Sequence, residues 1–349
     1  MVPMKWNKKT DSLFLAVGHG IQINGVWDSG CAYGQYTEAA LMLPIVKAAV
    51  KLLRKSGVKV YTDADRDNDK NMIATVTEAN KKKVKLYMSV HCDYKNATAG
   101  VNPLYVSSKG KQFGEKVGKY IAKAMGMKYK GATYRTDLYE LNSTDAPSCI
   151  LETGSIKEDL KKLKEAKKYG RTLAKAICKY IGVEVYVSNR TKIARKACEL
   201  CYPGNPEKAK YPSGKPTAAY KKALNKAYPD RKSWSTPARK GASCDVNVGT
   251  TVRSAGIDKA FPRGLSDQIK YLEASDKFKR VKKPTLKSMK DGYIVVYKNK
   301  TGNKGHIWIY YDGKCKHAAY NKYYPRTTNN AKSQLSSKKR AWVRVYCAK

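Results

Sequence analysis

Histidine is scarce in this chain, which has only four in 349 residues. Long apolar runs are missing as well, since none approaches the roughly 18 residues that a membrane-spanning helix requires. The nine cysteines are odd in number and widely spread, which argues against a disulfide framework. We therefore expect a chain that is made in a reducing compartment and does not span a membrane.

The start of the chain carries no recognisable targeting segment. Residues 1–9 lack the apolar stretch of a secretory signal, and the apolar run at residues 13–17 is too short for one and predicts a strand. We expect the protein to be made in the cytoplasm without a signal peptide.

Acidic residues are few, because 70 lysines and arginines face 28 aspartates and glutamates and give a formal charge of +42. This excess indicates either a solvated lysine surface or a polyanionic partner, such as nucleic acid, acidic lipid or a cell-wall polymer. The lysines are scattered, and no basic arm, zinc-finger pattern or ribonucleoprotein signature is present. Charge alone therefore does not indicate nucleic-acid binding.

The length fits two domains of ordinary size, and the two halves differ in pattern. In the first half, predicted strands at residues 13–17, 58–62, 84–90 and 148–151 alternate with predicted helices at 38–57, 71–83 and 157–181. Such alternation is typical of an α/β domain with a mostly parallel twisted sheet flanked by helices. We assign this domain to residues 1–184.

The pattern changes after Gly182. Residues 185–240 are richer in proline and turn signals, so we interpret them as a linker and lead-in segment. A helical stretch follows Cys244, and apolar runs at 293–297, 307–311 and 342–346 predict strands joined by short turns. This order predicts an α+β domain with an antiparallel sheet over residues 185–349.

Two histidines and two carboxylates of the first half are expected at one edge of the predicted sheet. His19, His91 and Glu152 each follow a predicted strand, while Glu38 opens the first helix. Ligands bind outside the carboxyl ends of the strands in such sheets. Two histidines and one carboxylate with an open position are a common catalytic zinc arrangement, and the remaining carboxylate could carry a proton. The alternative is two loop histidines, a helix-start carboxylate and a surface charge.

The same residues lie in motifs that match a known family in order along the chain. The motifs are Val17-Gly18-His19-Gly20, Glu38-Ala39-Ala40-Leu41, Ala79-Asn80, Ser89-Val90-His91 and Leu151-Glu152-Thr153-Gly154. Over about residues 10–183 the chain resembles the zinc-dependent N-acetylmuramoyl-L-alanine amidases. The resemblance implies one Zn²⁺ held by His19, Glu38 and His91, with Glu152 as the catalytic acid/base. It also implies cleavage of the amide between muramic acid and L-alanine. Four residues depart from the usual pattern of this family, namely Trp27, Cys31, Cys92 and Asp93.

The other two histidines accompany a cysteine in the second half. Cys244 precedes a predicted helix, and the dipole of a helix N-terminus favours a thiolate. A thiolate nucleophile needs a base and an orienting partner. His306 begins a predicted strand and His317 follows the next turn, so the two could lie on adjacent strands. The alternative is that Cys244 is a buried structural thiol.

These residues also lie in motifs that resemble a second family. The motifs are Ser243-Cys244-Asp245, Phe261-Pro262-Arg263-Gly264, Gln268, Lys290-Asp291-Gly292, Gly305-His306-Ile307-Trp308-Ile309-Tyr310 and His317-Ala318. Over about residues 190–349 the chain looks like the NlpC-type cell-wall cysteine peptidases. The resemblance implies a papain-like fold with Cys244 as nucleophile, His306 as base and His317, or alternatively Asn321, as the third residue. The order Ser243-Cys244-Asp245 and the pair Gly292-Tyr293 depart from the family pattern.

Together the two resemblances predict a two-headed, bacteriolytic peptidoglycan hydrolase similar to a phage or prophage endolysin of a Gram-positive host. Such an enzyme would act on the cell wall after release from the cytoplasm, with an anionic wall polymer as partner and no nucleic acid. The alternative is a basic cell-wall-binding protein with one inactive catalytic head.

Overall fold

The computed structural model describes residues 4–66, 71–202, 216–234, 243–300, 305–318, 325–336 and 340–349. The chain divides into two compact units, Met1–Tyr186 and Val187–Lys349. All nine cysteines are free thiols. Among the described residues, no helix combines the length and apolar character needed to cross a bilayer.

The first unit is built on a six-stranded sheet. Its strands are β1 (Ser12–Val17), β4 (Lys59–Tyr61), β5 (Leu86–Asp93), β6 (Asn102–Tyr105), β7 (Thr133–Tyr134) and β8 (Ser148–Ser155), and a small hairpin adds β2 (Ala32–Tyr33) and β3 (Tyr36–Thr37). The strand order is β4-β1-β5-β8-β6-β7. Only the β6–β8 pairing in this sheet is antiparallel. The prediction of a mostly parallel sheet is therefore confirmed.

Helices flank this sheet. They are α1 (Glu38–Lys55), α2 (Met72–Lys81), α3 (Ser108–Met125), α4 (Tyr139–Asn142), α5 (Leu160–Leu163) and α6 (Ala166–Tyr180). Thr37 caps α1 because its hydroxyl accepts the backbone N–H of Ala40 at 3.4 Å. This cap makes Glu38 the first helical residue. The Glu38 side chain contacts His19, which follows the carboxyl end of β1.

The helix predicted over residues 157–181 is wrong as a single element. The backbone leaves helical geometry at Glu165, where ψ is 45°, and separates α5 from α6. Leu163 and Tyr169 are both fully buried in one core. Six positions apart in a continuous helix, they would point about 120° away from each other. The break lets both side chains enter the same core.

Helix α3 and helix α4, which lie between the predicted strands at 84–90 and 148–151, had no sequence prediction. Glycines at positions 110, 114 and 118 weaken the helical signal of α3 because glycine has low helix propensity. The structure explains them by close packing: a Cβ at Gly110 would lie 2.2 Å from the carbonyl oxygen of Ser148, and one at Gly114 would lie 2.7 Å from Pro103. The apolar residues Phe113 and Val117 on α3 are fully buried.

The second unit contains an antiparallel sheet in the order β13-β12-β11-β10-β14-β9. Its strands are β9 (Phe278–Arg280), β10 (Ile294–Asn299), β11 (Gly305–Tyr311), β12 (Lys314–Ala318), β13 (Pro325–Thr328) and β14 (Arg340–Ala348). Its helices are α7 (Asn189–Leu200), α8 (Ala218–Ala227), α9 (Cys244–Ser254), α10 (Leu265–Ala274) and α11 (Ala331–Ser336). The predicted antiparallel sheet is confirmed, while the papain-like arrangement stays a prediction.

Two helices, α7 and α8, lie in the segment interpreted as a linker. Ile193 and Ala197 of α7 are buried with the core of the sheet, and Tyr220 and Leu224 of α8 are buried in a neighbouring cluster. The prolines and glycines that suggested a linker, at residues 203–206 and 211–214, lie outside the described residues. The described part of the segment thus belongs to the core of the second unit.

Candidate active sites

The four residues singled out in the first half converge at the carboxyl edge of the parallel sheet. His19 follows β1, and His91 and Glu152 are register partners near the ends of β5 and β8. Glu38 reaches them from the start of α1. His19, His91 and Glu152 line a cleft of about 670 Å³. The edge predicted from strand order is therefore where the structure places these side chains.

Glu38 lies between the two imidazoles. Its Oε2 is 3.3 Å from Nε2 of His19, and its Oε1 is 3.0 Å from Nδ1 of His91. Burial by itself would raise the pKa of Glu38, but the hydrogen bond and charge of His91 and the charge of His19 outweigh it and hold that pKa at about 2. One ligand atom from each of the three residues lies within 4.8 Å of the others.

The far nitrogen of each imidazole contacts a further group. Nδ1 of His19 is 3.0 Å from Oδ2 of Asp28. Nε2 of His91 is 3.0 Å from the Ser89 hydroxyl and 3.5 Å from Oε2 of Glu140. Outer carboxylates of this kind orient metal-ligating histidines and increase their basicity. The His19, Glu38 and His91 donor set therefore fits a catalytic zinc ion, with His19 Nε2 and His91 Nδ1 facing Glu38.

Sequence reasoning missed Asp28 and Glu140. Asp28 lies in the segment before Glu38, and the only signal was that this segment looked unusual. Glu140 comes from α4, which was not predicted, and its hydrogen bond from the Tyr87 hydroxyl is buried. Burial alone would lower the pKa of His91, but Glu140 and Glu38 outweigh it and raise that pKa well above its usual value.

Two glycines leave the space that these side chains occupy. A Cβ at Gly18 would lie 2.3 Å from the ring of His91. Gly30 has a φ of +68°, and a Cβ there would lie 2.6 Å from the ring of His19 and 2.7 Å from Oε2 of Glu38. Real Cβ atoms do not approach other atoms so closely, so both positions require glycine for this geometry.

Glu152 stands beside this group without a hydrogen-bond partner. Its Oε2 is buried and makes no hydrogen bond. Burial raises the pKa of Glu152 to about 7, with Glu38 and Asp93 acting in the same direction and the charge of His91 opposing them. A carboxyl group with this pKa exchanges a proton readily near neutral pH, which suits general acid–base chemistry.

Cys31 and Cys92 lie beneath Glu38. Their backbone N–H groups donate to Oε2 and Oε1 of Glu38 at 3.1 and 3.0 Å. Their sulfurs and one Glu38 oxygen lie within 4.8 Å of one another. The hydrogen bond with Cys31 and burial raise the pKa of the Cys92 thiol. These two departures from the family pattern therefore support Glu38 through their backbone.

In the second unit, Cys244 is the first residue of α9, as predicted. Helix α9 packs against β11, the strand that carries His306. Burial, followed by the charge of Asp245, raises the pKa of Cys244 to about 11. The helix dipole was expected to lower the pKa of Cys244, but burial raises it more. The resting thiol is therefore protonated at neutral pH.

His306 and His317 lie side by side on β11 and β12. Nε2 of His306 is 2.9 Å from Nδ1 of His317, and Nε2 of His317 is 3.0 Å from the Thr328 hydroxyl. Burial and neighbouring positive charge lower the pKa of His306 to about 3 and that of His317 to about 4. Thr328, which sequence reasoning missed, extends this chain of contacts. Asn321, the alternative third residue, lies outside the described residues.

Two further motifs of the second half, residues 261–264 and Gln268, meet around Asp245. Its Oδ2 accepts the backbone N–H of Gly264 at 3.0 Å. The side-chain amide of Gln268 donates to the carbonyls of Asp245 and Pro262 at 2.8 and 2.9 Å. These contacts connect the start of α9 to the segment before α10, so the motifs support the position of Cys244.

Comparisons with known proteins bear on the first unit. Residues 13–183 match the family model of N-acetylmuramoyl-L-alanine amidase. The catalytic domain of CwlV, an N-acetylmuramoyl-L-alanine amidase from Bacillus (Paenibacillus) polymyxa var. colistinus, is 22% identical, with 50% of this chain and 99% of that chain covered and a TM-score of 0.43. The amidase AmiC2 of Nostoc punctiforme is 26% identical, with coverages of 50% and 96% and a TM-score of 0.42. The catalytic domain of the CD27L endolysin targeting Clostridia difficile is 21% identical, with coverages of 48% and 96% and a TM-score of 0.41.

None of the curated proteins matches the chain. The family match confirms the first resemblance drawn from sequence. The NlpC-type resemblance of the second unit stays a prediction.

Proposed function

Because its first unit contains an N-acetylmuramoyl-L-alanine amidase domain, we propose that this chain is a peptidoglycan hydrolase. The first head hydrolyses the amide between the muramic acid of the glycan and the L-alanine of the stem peptide. His19, Glu38 and His91 hold one Zn²⁺, and Glu152 is the acid/base. The observation that carries this proposal is the group of three ligand atoms within 4.8 Å of one another beside Glu152, whose Oε2 is buried and makes no hydrogen bond within the described part of the chain.

Zinc in such a site supplies Lewis-acid chemistry for attack of water on an amide carbonyl. Glu152 takes the proton of the attacking water as the new C–O bond forms. It then delivers this proton to the alanine nitrogen as the C–N bond breaks. A pKa of about 7 allows one carboxyl group to perform both transfers.

The surrounding residues keep the ligand atoms in place. Asp28 and Glu140 fix the orientation of the two imidazoles, while Gly18 and Gly30 leave room for the rings. The carboxylates around the imidazoles favour positive charge at this point, and a divalent cation satisfies this preference.

For the second unit we propose a cysteine endopeptidase that cuts stem or cross-bridge peptides, with a papain-like arrangement. Cys244 attacks the peptide carbonyl while His306 takes the thiol proton and passes it to the leaving amine. Water then hydrolyses the thioester and regenerates the thiol. His306 contacts His317 through Nε2, which leaves Nδ1 as its nitrogen for the thiol. The packing of helix α9, which begins at Cys244, against β11, which carries His306, supports this arrangement.

A second candidate function is a wall-binding protein in which the second head is inactive. The Cys244 pKa of about 11 and the His306 pKa of about 3 favour it, because both groups are neutral at rest. A thiolate–imidazolium pair would then have to form against a large difference in proton affinity. This second candidate keeps the amidase head unchanged.

We also propose that the protein acts lytically on the bacterial cell wall, as an endolysin does, with an anionic wall polymer as partner. The formal charge of +42 supports such a partner because it favours association with a polyanion.

Digestion of purified cell wall, followed by mass spectrometry of the products, tests both heads. The variants are Glu152→Gln and Cys244→Ser, with Glu158→Gln and Cys347→Ser as matched controls away from the sites. We expect Glu152→Gln to stop release of intact stem peptides and Cys244→Ser to stop cuts within peptides. Normal stem-peptide release by Glu152→Gln contradicts the amidase proposal. Normal peptide cleavage by Cys244→Ser contradicts the peptidase proposal, and absence of such cleavage in the wild type favours the inactive head.

A further inference from the structure

A second cavity of the first unit lies at the opposite edge of the sheet from the catalytic cleft. It is a groove of about 780 Å³ whose lining includes Leu86, the first residue of β5, and Pro147, which directly precedes β8. His91 and Glu152 stand near the other ends of these same strands. Leu86 and His91 are five positions apart in an extended strand, which corresponds to about 17 Å. A molecule in the groove would leave the cleft open.

Five lysines surround this groove. They are Lys109, Lys116, Lys119 and Lys123 of α3 and Lys179 of α6. The spacings of seven, three and four residues place the α3 lysines on one helical face. Between Lys109 and Lys123 the helix rises by about 21 Å. The positive charge is therefore arranged along a line.

The charges of these lysines are largely unpaired. Lys119 forms an ion pair with Glu115, at 3.4 Å and on an exposed surface. Within the described part of the chain, no carboxylate lies at ion-pair distance from Lys109, Lys116, Lys123 or Lys179. The ammonium groups of Lys109, Lys116 and Lys123 are thus available to an anionic ligand, while that of Lys179 lies 5.6 Å from the centre of the Tyr120 ring.

The two cavities of this unit differ in the charged residues that line them. Among the described residues, the groove is lined by five lysines and by no acidic residue. The catalytic cleft is lined by the carboxylates of Asp28, Asp63, Glu140 and Glu152 together with Arg135. A polyanion is therefore attracted more strongly to the groove, which separates anchoring from catalysis.

We propose that this groove binds the phosphodiester backbone of an anionic cell-wall polymer of the glycerol-phosphate type. A line of ammonium groups over about 21 Å suits successive phosphates of a linear chain better than one small anion. Lysine binds phosphate as a point charge and does not demand a fixed orientation, which suits a flexible polymer. Tyr120 and Tyr180 in the lining provide surface for the uncharged carbon segments between phosphates.

Binding at the groove holds the open cleft close to its substrate and raises the effective concentration of peptidoglycan at the cleft. The choice of a cell-wall polymer rests on the proposed function, whereas the binding itself needs no catalysis. Polymer binding at the groove and the proposed amidase activity can therefore be tested and contradicted separately.

The test compares two full-chain variants with the same change in charge. The groove variant carries Lys109→Gln, Lys116→Gln and Lys123→Gln. The control carries Lys51→Gln, Lys161→Gln and Lys167→Gln, at exposed positions outside the groove. Affinity for purified poly(glycerol phosphate) is measured by titration at two salt concentrations. We expect the groove variant to bind at least about tenfold more weakly with a smaller salt dependence, since fewer counterions are released. The control should stay within about twofold of the wild type.

Equal loss in both variants would show that binding follows net charge and would overturn the proposal, as would unchanged affinity in the groove variant. Loss of binding to phosphatidylglycerol vesicles, with polymer binding retained, would assign the groove to lipid and also overturn it. Cleavage of a soluble muropeptide should be unchanged in the groove variant, and Glu152→Gln should bind the polymer normally. A wild type that binds polymer through the groove but cleaves no muropeptide would contradict the amidase proposal alone.

Discussion

The two histidine pairs of this protein lie in opposite electrostatic surroundings. His91 contacts Glu38 and Glu140, which raise its pKa despite burial. His306 contacts His317, and burial together with nearby positive charge lowers the pKa of His306 to about 3. Burial acts against the charged form at both sites, so the difference comes from the partners. The first site favours a cation, while the second holds neutral imidazoles.

This difference separates two kinds of chemistry. A cluster of carboxylates and imidazoles provides the ligands and charge for a metal ion. In the proposed peptidase, the protonated thiol of Cys244 has to transfer its proton to a neutral imidazole during the reaction. The comparison therefore predicts different responses to metal removal, to loss of a carboxylate, to crowding of a ring and to acid.

Metal removal should have the largest effect and should separate the two heads. We expect a chelator to reduce stem-peptide release to background and added Zn²⁺ to restore it, because the proposed amidase chemistry requires the metal. Cleavage within peptides should not change. Both products are quantified by mass spectrometry in one digest. Loss of both activities on chelation would contradict the division into a metal site and a thiol site.

Replacing Glu152 with glutamine should lower kcat for the amide by about 10²–10⁴-fold, the usual contribution of an acid/base group. The fold should be retained, because Oε2 of Glu152 makes no hydrogen bond. The raised pKa of about 7 means that the carboxyl group favours folding less as pH rises from about 4.5 through 7. The melting temperature of Glu152→Gln at pH 8 should therefore equal or exceed that of the wild type. A drop of several degrees would indicate a structural role instead.

Replacing Gly18 with alanine should displace the ring of His91, because a Cβ would lie 2.3 Å from it. We expect zinc affinity to fall by about 10–100-fold, the range typical when the support of a ligand is lost. Competition with a chromophoric chelator measures this affinity. Unchanged affinity would mean that the ring of His91 can move without loss of zinc binding, which contradicts the role given to Gly18.

Acid should destabilise the second unit. The pKa values of His306 and His317 are lowered to about 3 and 4, so the unfolded chain binds more protons below about pH 6.5. Stability should therefore be full above about pH 7 and should decline as the pH falls toward 4. Hydrogen exchange of peptides from β11 and β12 follows this loss, and His317→Gln should weaken the pH dependence. A flat profile in the wild type would show that these histidines are not held neutral.

Much of the architecture followed from local pattern. Short apolar runs placed β1, β4, β5 and β8 to within a few residues, because buried parallel strands are continuous apolar segments. Helix α3 was not predicted because its glycines lower helix propensity, and these glycines are needed for close contacts with residues distant in sequence. The break before α6 was not predicted either, because it allows Leu163 and Tyr169 to be buried in one core, which is a tertiary requirement.

Some residues of the candidate sites could be predicted from sequence, and others could not. His19, Glu38, His91 and Glu152 were named from motifs, and strand order placed them at one edge. Asp28 and Glu140 could not be named, because nothing in their local sequence marks them as neighbours of an imidazole. Cys244 was assigned to a helix start, yet its pKa of about 11 depends on burial by the surrounding fold.

The sequence by itself therefore determined the kinds of chemical group, their order along the chain and the strand ends at which they lie, because hydrophobic periodicity and turn residues are local properties. The tertiary structure decided which groups meet and which charge each one favours. A pKa depends on burial and on partners that are distant in sequence, such as Glu140 for His91 and His317 for His306. Four similar side chains thus became two sites of opposite character only when the chain folded.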